Sequence, residues 1–513
     1  MITQAANIVN KPRENVALHI DGRDITFGEI RKRAMAFALA FKEGDPGPLS
    51  LVAILAEKTV DSFSAILGAH LAGLGYVPIH PKQPIARMID MLDQAGTRII
   101  VAGGASTHAL LRNSTTGLHI VTSDLDELNK LNTLFPEHVF RVAQPGGEVV
   151  PEAVSPEAIA YLLFTSGTTG RPKGVPVSFR NLDSYVTAAS ALACLRSDDR
   201  CSQSFNLSFD LSVHDIFVTW AAGASLYPLN DANLLAPSRF LREHELTSWF
   251  SVPSVAMVMQ RTRTLRPGLF HSLRHSLFCG EALPEATADD WVRAAPNSRL
   301  MNLYGPTEAT IAITCHEWQP GIKVGRFGLV PIGQAIGTQR THLIDEGGSL
   351  IEGPGRGQLV LEGDQVTKGY LNAPDQTAAA YVQISKKPGS TCYCTGDLVE
   401  RDLNGLLYYV GRLDSQIKLR GHRIELQEID RALRAASGLD LAVAVSMPVD
   451  GPVQEIVGVV AAVDLDIQEV LERCKAHLPD SMIPSRIVAL NNLPLNTNGK
   501  IDRKAVAIMV ASV

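Results

Sequence analysis

The pattern of apolar and polar positions predicts a chain in which short buried strands alternate with amphipathic helices. Ile25 to Lys42 carries helical periodicity, with Thr26 placed to cap it. Leu51 to Leu55 is a continuous apolar run and predicts a buried strand. Val60 to Leu71 predicts a helix and Tyr76 to Ile79 a second strand, which completes a βαβ unit. Arg98 to Ala102 and Ala158 to Phe164 are apolar on both faces, as strands of a parallel sheet covered on each side should be. Asn113 to Val154 holds no sustained period and is expected to run as an irregular connection over the surface. The alternation resumes and continues to Tyr304. From Gln339 to Glu362, strand-like runs separated by Gly-rich turns predict a small β subdomain. Asp402 to Gly405 is a turn signal followed by a strand at Leu406 to Val410.

Arg412-Leu413-Asp414-Ser415-Gln416 is a polar break. Beyond it the pattern predicts a helix at Glu425 to Ala436, strands at Leu441 to Met447 and Val457 to Val463, and a helix at Ile467 to His477. The expected fold class is therefore α/β. A large N-terminal domain, 1–413, would hold mixed sheets with helices plus the β subdomain. A small α+β C-terminal domain, 414–513, would follow a boundary near Asp414.

Composition narrows the function classes. A chain of 513 residues is too long for one core. The formal net charge of −6 excludes a broadly basic surface, so no nucleic-acid partner is expected. The most apolar stretch, Ser62 to Ile79, is interrupted by His70 and glycines and reads as helix plus strand, not a membrane span. The first residues, MITQAANIVNKPRE, have no apolar core of a signal peptide. Seven scattered cysteines without a C-x-x-C pair fit reduced thiols and a cytoplasmic location. Cys392 and Cys394 flank Tyr393 in a strand-like run and are expected to pack, not to bind metal.

The richest chemistry lies at Tyr161 to Gly174, YLLFTSGTTGRPKG. An apolar strand ends abruptly in glycines, hydroxyls and two cations. Glycines let backbone N–H groups turn toward a ligand, and Arg171 and Lys173 add positive charge, which is the chemistry of a phosphate cradle. The spacing is not that of a Walker loop. By composition alone a polar hairpin loop is the other reading.

Four further stretches join it: Leu303-Tyr304-Gly305-Pro306-Thr307-Glu308; Tyr393-Cys394-Thr395-Gly396-Asp397; Gly411 to Asp414 with Gln416 to Gly421 and Arg423 to Leu426; and Leu493-Pro494 with Asn498-Gly499-Lys500-Ile501-Asp502. In order and spacing these resemble the core motifs of the adenylate-forming superfamily: acyl-CoA ligases, luciferases and the adenylation domains of nonribosomal peptide synthesis. The resemblance covers nearly the whole chain.

It implies attack of a carboxylate on the α-phosphate of ATP, with pyrophosphate leaving. Thr165, Ser166, Gly167, Thr168, Thr169, Gly170 and Lys173 would hold the phosphates, Thr165 also serving catalysis. Glu308 would hold Mg²⁺, a hard cation that wants oxygen ligands. Tyr304 would stack on adenine, lined by Gly280, Glu281 and Ala282, with Asn302, Gly305, Thr307 and Tyr409 completing the nucleotide site. Asp397 would accept from the ribose hydroxyls, helped by Arg412. Lys500 would be the catalytic cation between the α-phosphate and the attacking carboxylate. The C-terminal domain would be a lid rotating about a hinge at Asp414, with Gly421 in the segment that lines the thiol tunnel. By residue type alone, Glu308 reads as a helix N-terminal acid and Tyr304 as a buried strand-end tyrosine. Asp397, Arg412 and Lys500 read as solvated loop residues, and Asp414 as a linker residue.

Phe209-Asp210-Leu211-Ser212-Val213-His214-Asp215 resembles the fourth core motif of the same family. An Asp at the position of Asp210 pairs with the substrate ammonium in members that activate α-amino acids; the other reading is a helix N-cap. Alignment outward from the motifs implies a side-chain pocket of Leu211, His214, Phe250, Leu277, Cys279, Leu303, Ile311 and Ala312. It holds no carboxylate or fixed cation, so a charged side chain would be desolvated without a partner. The substrate is expected to be small to medium and apolar. The set resembles freestanding prolyl-carrier-protein ligases, so L-proline is preferred, and it shares residues with alanine-activating domains. His214 departs from the aliphatic residue of both and reads either as narrowing the pocket or as a satisfied core histidine.

No G-G-x-S serine follows the last motif and no H-H-x-x-x-D-G precedes the first. The resemblance thus implies a stand-alone enzyme that loads the phosphopantetheine thiol of a separate, freestanding carrier protein. The alternatives are an alanine-activating carrier-protein ligase, including one that feeds D-alanine to cell-wall polymer, an acyl-CoA ligase, and a catalytically silent scaffold.

Overall fold

The computed structural model describes the chain apart from residues 1–2, 115–116, 145, 148, 168–170, 320–325, 385–390, 450–452, 463–464, 495–500 and 512–513. Its contacts divide into two units. The first comprises Met1–Pro81, Ile89–Leu163 and Gly174–Gly411; the second comprises Lys82–Met88, Phe164–Lys173 and Arg412–Val513. The architecture is mixed α/β.

Two large sheets build the first unit. The seven-stranded sheet runs in the order Val139–Val142, His119–Thr122, Ile99–Val101, Leu51–Leu55, Gly75–Ile79, Ile159–Thr165, Lys173–Ser178. Its first six strands pair in parallel, and Leu51–Leu55 is buried at every residue, as its continuous apolar run requires. The nine-stranded sheet runs Gln334–Ala335, Thr314–Trp318, Arg299–Tyr304, His275–Phe278, Ser248–Ser251, Arg200–Gln203, Ser225–Pro228, Val16–Ile20, Arg23–Thr26. Its middle is parallel and its edges antiparallel. A five-stranded sheet, built on Arg340–Ile344, Gly355–Glu362 and Cys392–Arg401, is the expected β subdomain.

The helices begin where hydrogen-bonding side chains start them. At Phe27–Lys42, Thr26 and Glu29 form a reciprocal capping box; at Phe179–Ala193, Ser178 and Asn181 do the same. The helix Asp210–Ala221 is buried from Leu211 through Trp220, and Trp220 Nε1 donates to the Ala17 carbonyl at 2.7 Å. The helix is enclosed on every side, its polar residues Ser212, His214, Asp215 and Thr219 included. His70, in the helix Val60–Leu71, is sealed in the same core, with Nε2 bonded to the Ala160 carbonyl at 2.9 Å.

One expectation is corrected here. Asn113 to Val154 is not an irregular connection: it holds the strand His119–Thr122, the helix Leu125–Leu134 and the strand Val139–Val142. Each is too short for a period to emerge, and the helix buries only Leu131. Its start is instead marked by Asp124, which caps the N–H groups of Asp126 and Glu127.

In the second unit the strands Ala442–Met447, Glu455–Ala461 and Arg486–Leu490 form one sheet with a helix layer on each face. Alternation sorts the side chains. Ala442 and Ala444 pack with the helices Leu426–Ser437 and Ile467–Lys475, and Val443 and Val445 pack with Arg503–Ala511. The polar break expected after Gly411 gives way to a hairpin, Gln416–Leu419 with His422–Glu425. Arg420 and Gly421 have φ of 51° and 80°, the pair of positive values that a tight mirror-image turn needs. Among the described residues no helix is long and apolar enough to cross a membrane, and no three His, Cys, Asp or Glu side chains cluster to hold a metal ion.

Candidate active site

In the first unit the parallel strands Ser248–Ser251, His275–Phe278 and Arg299–Tyr304 deliver their carboxyl ends beside the N-terminus of the helix Asp210–Ala221. Crevices outside the carboxyl ends of parallel strands are where such sheets bind ligands. Asp210 lies in the first turn of its helix, and Phe209 is the N-cap, without a side-chain cap. The Asp210 carboxylate accepts a 2.9 Å hydrogen bond from Thr307 Oγ1, which brings together two motifs far apart in sequence.

Thr307–Ala309 is a single tight turn that leaves Glu308 fully buried. Tyr370 Oη donates to Glu308 Oε1 at 2.7 Å, and the rings of Tyr370 and Tyr393 both pack on Tyr381. The chain then passes through Thr310 and Ile311 at φ of 54° and 74°. A β-branched residue in this left-handed region stores on the order of 1–3 kcal/mol. Gln365 holds it there: Nε2 donates to the carbonyls of Ala312 at 2.7 Å, Thr310 at 3.3 Å and Ala309 at 3.4 Å, and Thr310 Oγ1 returns a bond to the Gln365 carbonyl at 2.6 Å. Gly305 packs so tightly on this turn that a Cβ there would lie 2.6 Å from Ala312 Cα.

The side chains expected to line the substrate pocket, Leu211, His214, Phe250, Leu277, Cys279, Leu303, Ile311 and Ala312, are all buried, none more than 6% exposed. His214 Nδ1 and Tyr185 Oη share a 2.6 Å hydrogen bond. The His214 ring stands edge-on to Phe250, centroids 4.7 Å apart, and Phe250 stands edge-on to Phe205 at 5.0 Å. Burial pushes the imidazole down to about 3, so it is neutral.

Residues expected around the nucleotide divide between the units. In the first, Tyr304 Oη donates to Asp397 Oδ2 at 2.5 Å. Glu281 accepts from the Ser254 N–H at 2.9 Å, and Gly280 and Ala282 flank it at the end of His275–Phe278. Asn302 Nδ2 donates to the Pro331 carbonyl at 2.8 Å, while its buried Oδ1 has no partner among the described residues. Tyr409 lies in the strand Leu407–Arg412.

In the second unit Thr165 ends its strand, Ser166 Oγ donates to the Arg423 carbonyl at 2.7 Å, and Lys173 stands 3.9 Å from Glu425. The Gly167 N–H donates to Glu428 Oε2 at 3.3 Å, and a Cβ on Gly167 would lie 2.2 Å from the Arg171 carbonyl oxygen. Arg412 forks onto Asp414 at 2.7 and 2.6 Å, and Gly421 sits in the hairpin turn. Thr168, Thr169, Gly170 and Lys500 lie outside the described residues.

Sequence reasoning missed Tyr185, Tyr370, Gln365, Arg87 and Glu428. Tyr185, Tyr370, Gln365 and Glu428 each act on a residue singled out from the sequence, from a distant part of the chain, and Arg87 acts on Glu428; none stands in a motif of its own. Only Tyr370, in the Gly369-Tyr370-Leu371 run that follows the β subdomain, sits where a local turn could draw attention.

The comparisons with known proteins agree on one family. The model of the AMP-binding enzyme family matches residues 5–371. The chain belongs to the AMP-binding enzyme family. It is 31% identical to a D-alanine–D-alanyl carrier protein ligase of Lacticaseibacillus rhamnosus, over 98% of each chain. It is also 31% identical to tyrocidine synthase 3 of Brevibacillus parabrevis over 96% of its own length, but spans only 7% of that protein. Among solved structures, the Vibrio cholerae adenylation domain AlmE in complex with glycyl-adenosine-5′-phosphate superposes with a TM-score of 0.92 at 32% identity, over 99% of this chain and 97% of that one.

Proposed function

We propose that the chain activates a small amino acid as its adenylate and passes the acyl group to the thiol of a carrier protein. In the first step a carboxylate oxygen of the amino acid attacks the α-phosphorus of ATP, and the bond to the bridging oxygen of pyrophosphate breaks. In the second a thiolate attacks the acyl carbonyl, and AMP leaves with the electrons of the broken C–O bond. Positioning and charge neutralisation carry most of the rate in such transfers.

The observation that carries the reading is Asp210. Its carboxylate is fixed by the Thr307 hydroxyl at the first turn of a buried helix, next to the apolar pocket. A carboxylate placed by a hydrogen bond beside an apolar pocket can face an ammonium. The D-alanyl, glycyl and peptide-synthase relatives support an amino acid as the acid activated.

The residues present fit the nucleotide. The Gly167 N–H already donates to a carboxylate, in a turn with no room for a side chain, so it suits a phosphate oxygen equally. Asn302 Oδ1 is a buried acceptor for the exocyclic amine of adenine. Glu308, turned by Tyr370, is the hard oxygen donor for Mg²⁺, which takes one or two carboxylates together with phosphates. When bound, that ion would neutralise charge on the phosphates. Lys500 would stabilise the charge that develops at the α-phosphate, a role worth about 3–4 kcal/mol.

Proline, the expectation from the pocket residues, is the largest of the candidate substrates, followed by alanine and glycine. An empty cavity with room for a pyrrolidine ring would leave its lining open to water, yet none of the eight lining residues is more than 6% exposed. The packing therefore supports glycine or alanine ahead of proline. The acceptor is the phosphopantetheine thiol of a separate carrier protein, a reading that the D-alanyl carrier protein ligase relative supports. The seven cysteines are scattered without a C-x-x-C pair, in keeping with a reducing cytoplasm.

The test is exchange of labelled pyrophosphate into ATP with glycine, L-alanine, D-alanine, L-proline and L-valine, with acetate and propionate alongside. Glycine or alanine should dominate. Asp210→Asn should lower that signal roughly a hundredfold to several thousandfold, since removing one partner of a buried charge pair costs about 3–5 kcal/mol. Turnover of acetate or propionate alone would move the protein to the acyl-ligase class, and ATP binding without any exchange would leave a scaffold.

A further inference from the structure

Tyr185 belongs to none of the motifs, yet it lies against the pocket. It projects from the helix Phe179–Ala193, whose start is pinned by the Ser178–Asn181 capping box, and it is 1% exposed. Its hydroxyl meets His214 Nδ1 at 2.6 Å, and the rings stand edge-on with centroids 5.9 Å apart. Burial raises the phenol well above its usual value, with Cys279 and Asp210 close enough to raise it further. His214 and Asp210 are four residues apart on one helix and so share a face. The chain of contacts thus runs Tyr185–His214–Phe250–Phe205, each ring edge-on to the next.

We propose that Tyr185 is a positioning residue for substrate choice: its hydroxyl fixes the His214 imidazole edge-on to Phe250 and thereby limits the size of side chain the pocket accepts. The inference rests on the reading above that the Asp210 helix and Phe250 face the amino acid. The imidazole can turn about its last side-chain bond through a broad range of angles. Packing against Phe250 confines the ring and the phenol hydroxyl sets its angle; without that hydroxyl Nδ1 would be left buried and unsatisfied. The ring would then swing toward another partner, and the space it fills would open to a longer side chain.

The test measures kcat/KM in pyrophosphate exchange for glycine, L-alanine, L-proline and L-valine in the parent protein, Tyr185→Phe, His214→Ala and the double variant, with the thermal midpoint of each. Pockets separate substrates that differ by a methylene about 10- to 200-fold, and part of that discrimination is at stake. Tyr185→Phe is expected to raise the valine-to-glycine ratio roughly threefold to tenfold and His214→Ala to raise it further, on the same scale of discrimination. The double variant should match His214→Ala within about twofold, because the tyrosine acts through the histidine. A merely structural tyrosine would lower the midpoint and depress all four substrates alike, leaving the ratio unchanged. That result with a responsive His214→Ala would overturn the role of Tyr185, as would additive effects in the double variant. If His214→Ala itself left the ratio unchanged while exchange persisted, the pocket reading would fall and this proposal with it.

Discussion

In the first unit Asp210, Glu308 and Asp397 accept hydrogen bonds from the hydroxyls of Thr307, Tyr370 and Tyr304, whereas in the second Asp430, Glu428 and Asp414 face the guanidinium groups of Arg503, Arg87 and Arg412. A guanidinium fork binds a carboxylate by charge and geometry together, and it ties segments of chain to one another. Arg503 joins the last helix to Asp430, and Arg87 joins the short segment Lys82–Met88 to Glu428. A neutral hydroxyl contributes a hydrogen bond without a counter-charge. The candidate substrate, metal and ribose carboxylates each accept from a hydroxyl, while the guanidinium pairs of the second unit join its segments.

The largest expected effect tests how far the interior of the first unit depends on neutral polar groups. Burial pushes His70 down to about 4 and His214 down to about 3. The unfolded chain takes up protons at both as pH falls below about 6.5, while the folded chain does not, so stability is full above that pH and declines beneath it. Between pH 7.5 and 5 the two together should remove about 4 kcal/mol, the slope approaching about 1.4 kcal/mol per unit per group once the unfolded imidazoles are mostly protonated. Denaturant titrations at both pH values read this directly; a flat profile would mean that both imidazoles find a charged-state partner. His70→Gln should remove about half the slope.

Next comes Arg503→Ala. It leaves Asp430, whose side chain is 7% exposed, without its guanidinium, and should destabilise the second unit by on the order of 3 kcal/mol. A loss too small to measure in urea unfolding would show that the Ala444 N–H alone satisfies Asp430 and would weaken the contrast.

The smallest effect should come from Tyr370→Phe, which removes one hydrogen bond to a buried carboxylate. About 2 kcal/mol is expected, appearing as a higher Mg²⁺ requirement in pyrophosphate exchange with little change in thermal midpoint. An unchanged Mg²⁺ titration would separate Glu308 from the metal.

Read from its residues alone, the chain already declares where continuous or periodic burial lies. Leu51–Leu55 and Val60–Leu71 have the bounds expected of them, because every residue of the strand and nearly every residue of the helix is apolar or small and fully enclosed. Thr26 declares its helix because a capping side chain acts within one turn. The elements within 113–154 and the hairpin Gln416–Glu425 escape notice because their strands are four residues long and their outer faces polar. The same locality governs the site. Motif residues such as Asp210 and Glu308 can be singled out from the segments they stand in. Their pairings cannot: Thr307 stands in a motif yet is 97 residues from Asp210, Tyr370 is 62 from Glu308, and Tyr185 is 29 from His214. A hydrophobic period reports that a position is buried, not which buried group it will meet. Only when the sheets and helices pack does a particular hydroxyl arrive within hydrogen-bond reach of a particular acid or imidazole, because the low-dielectric interior leaves each polar group no water to fall back on.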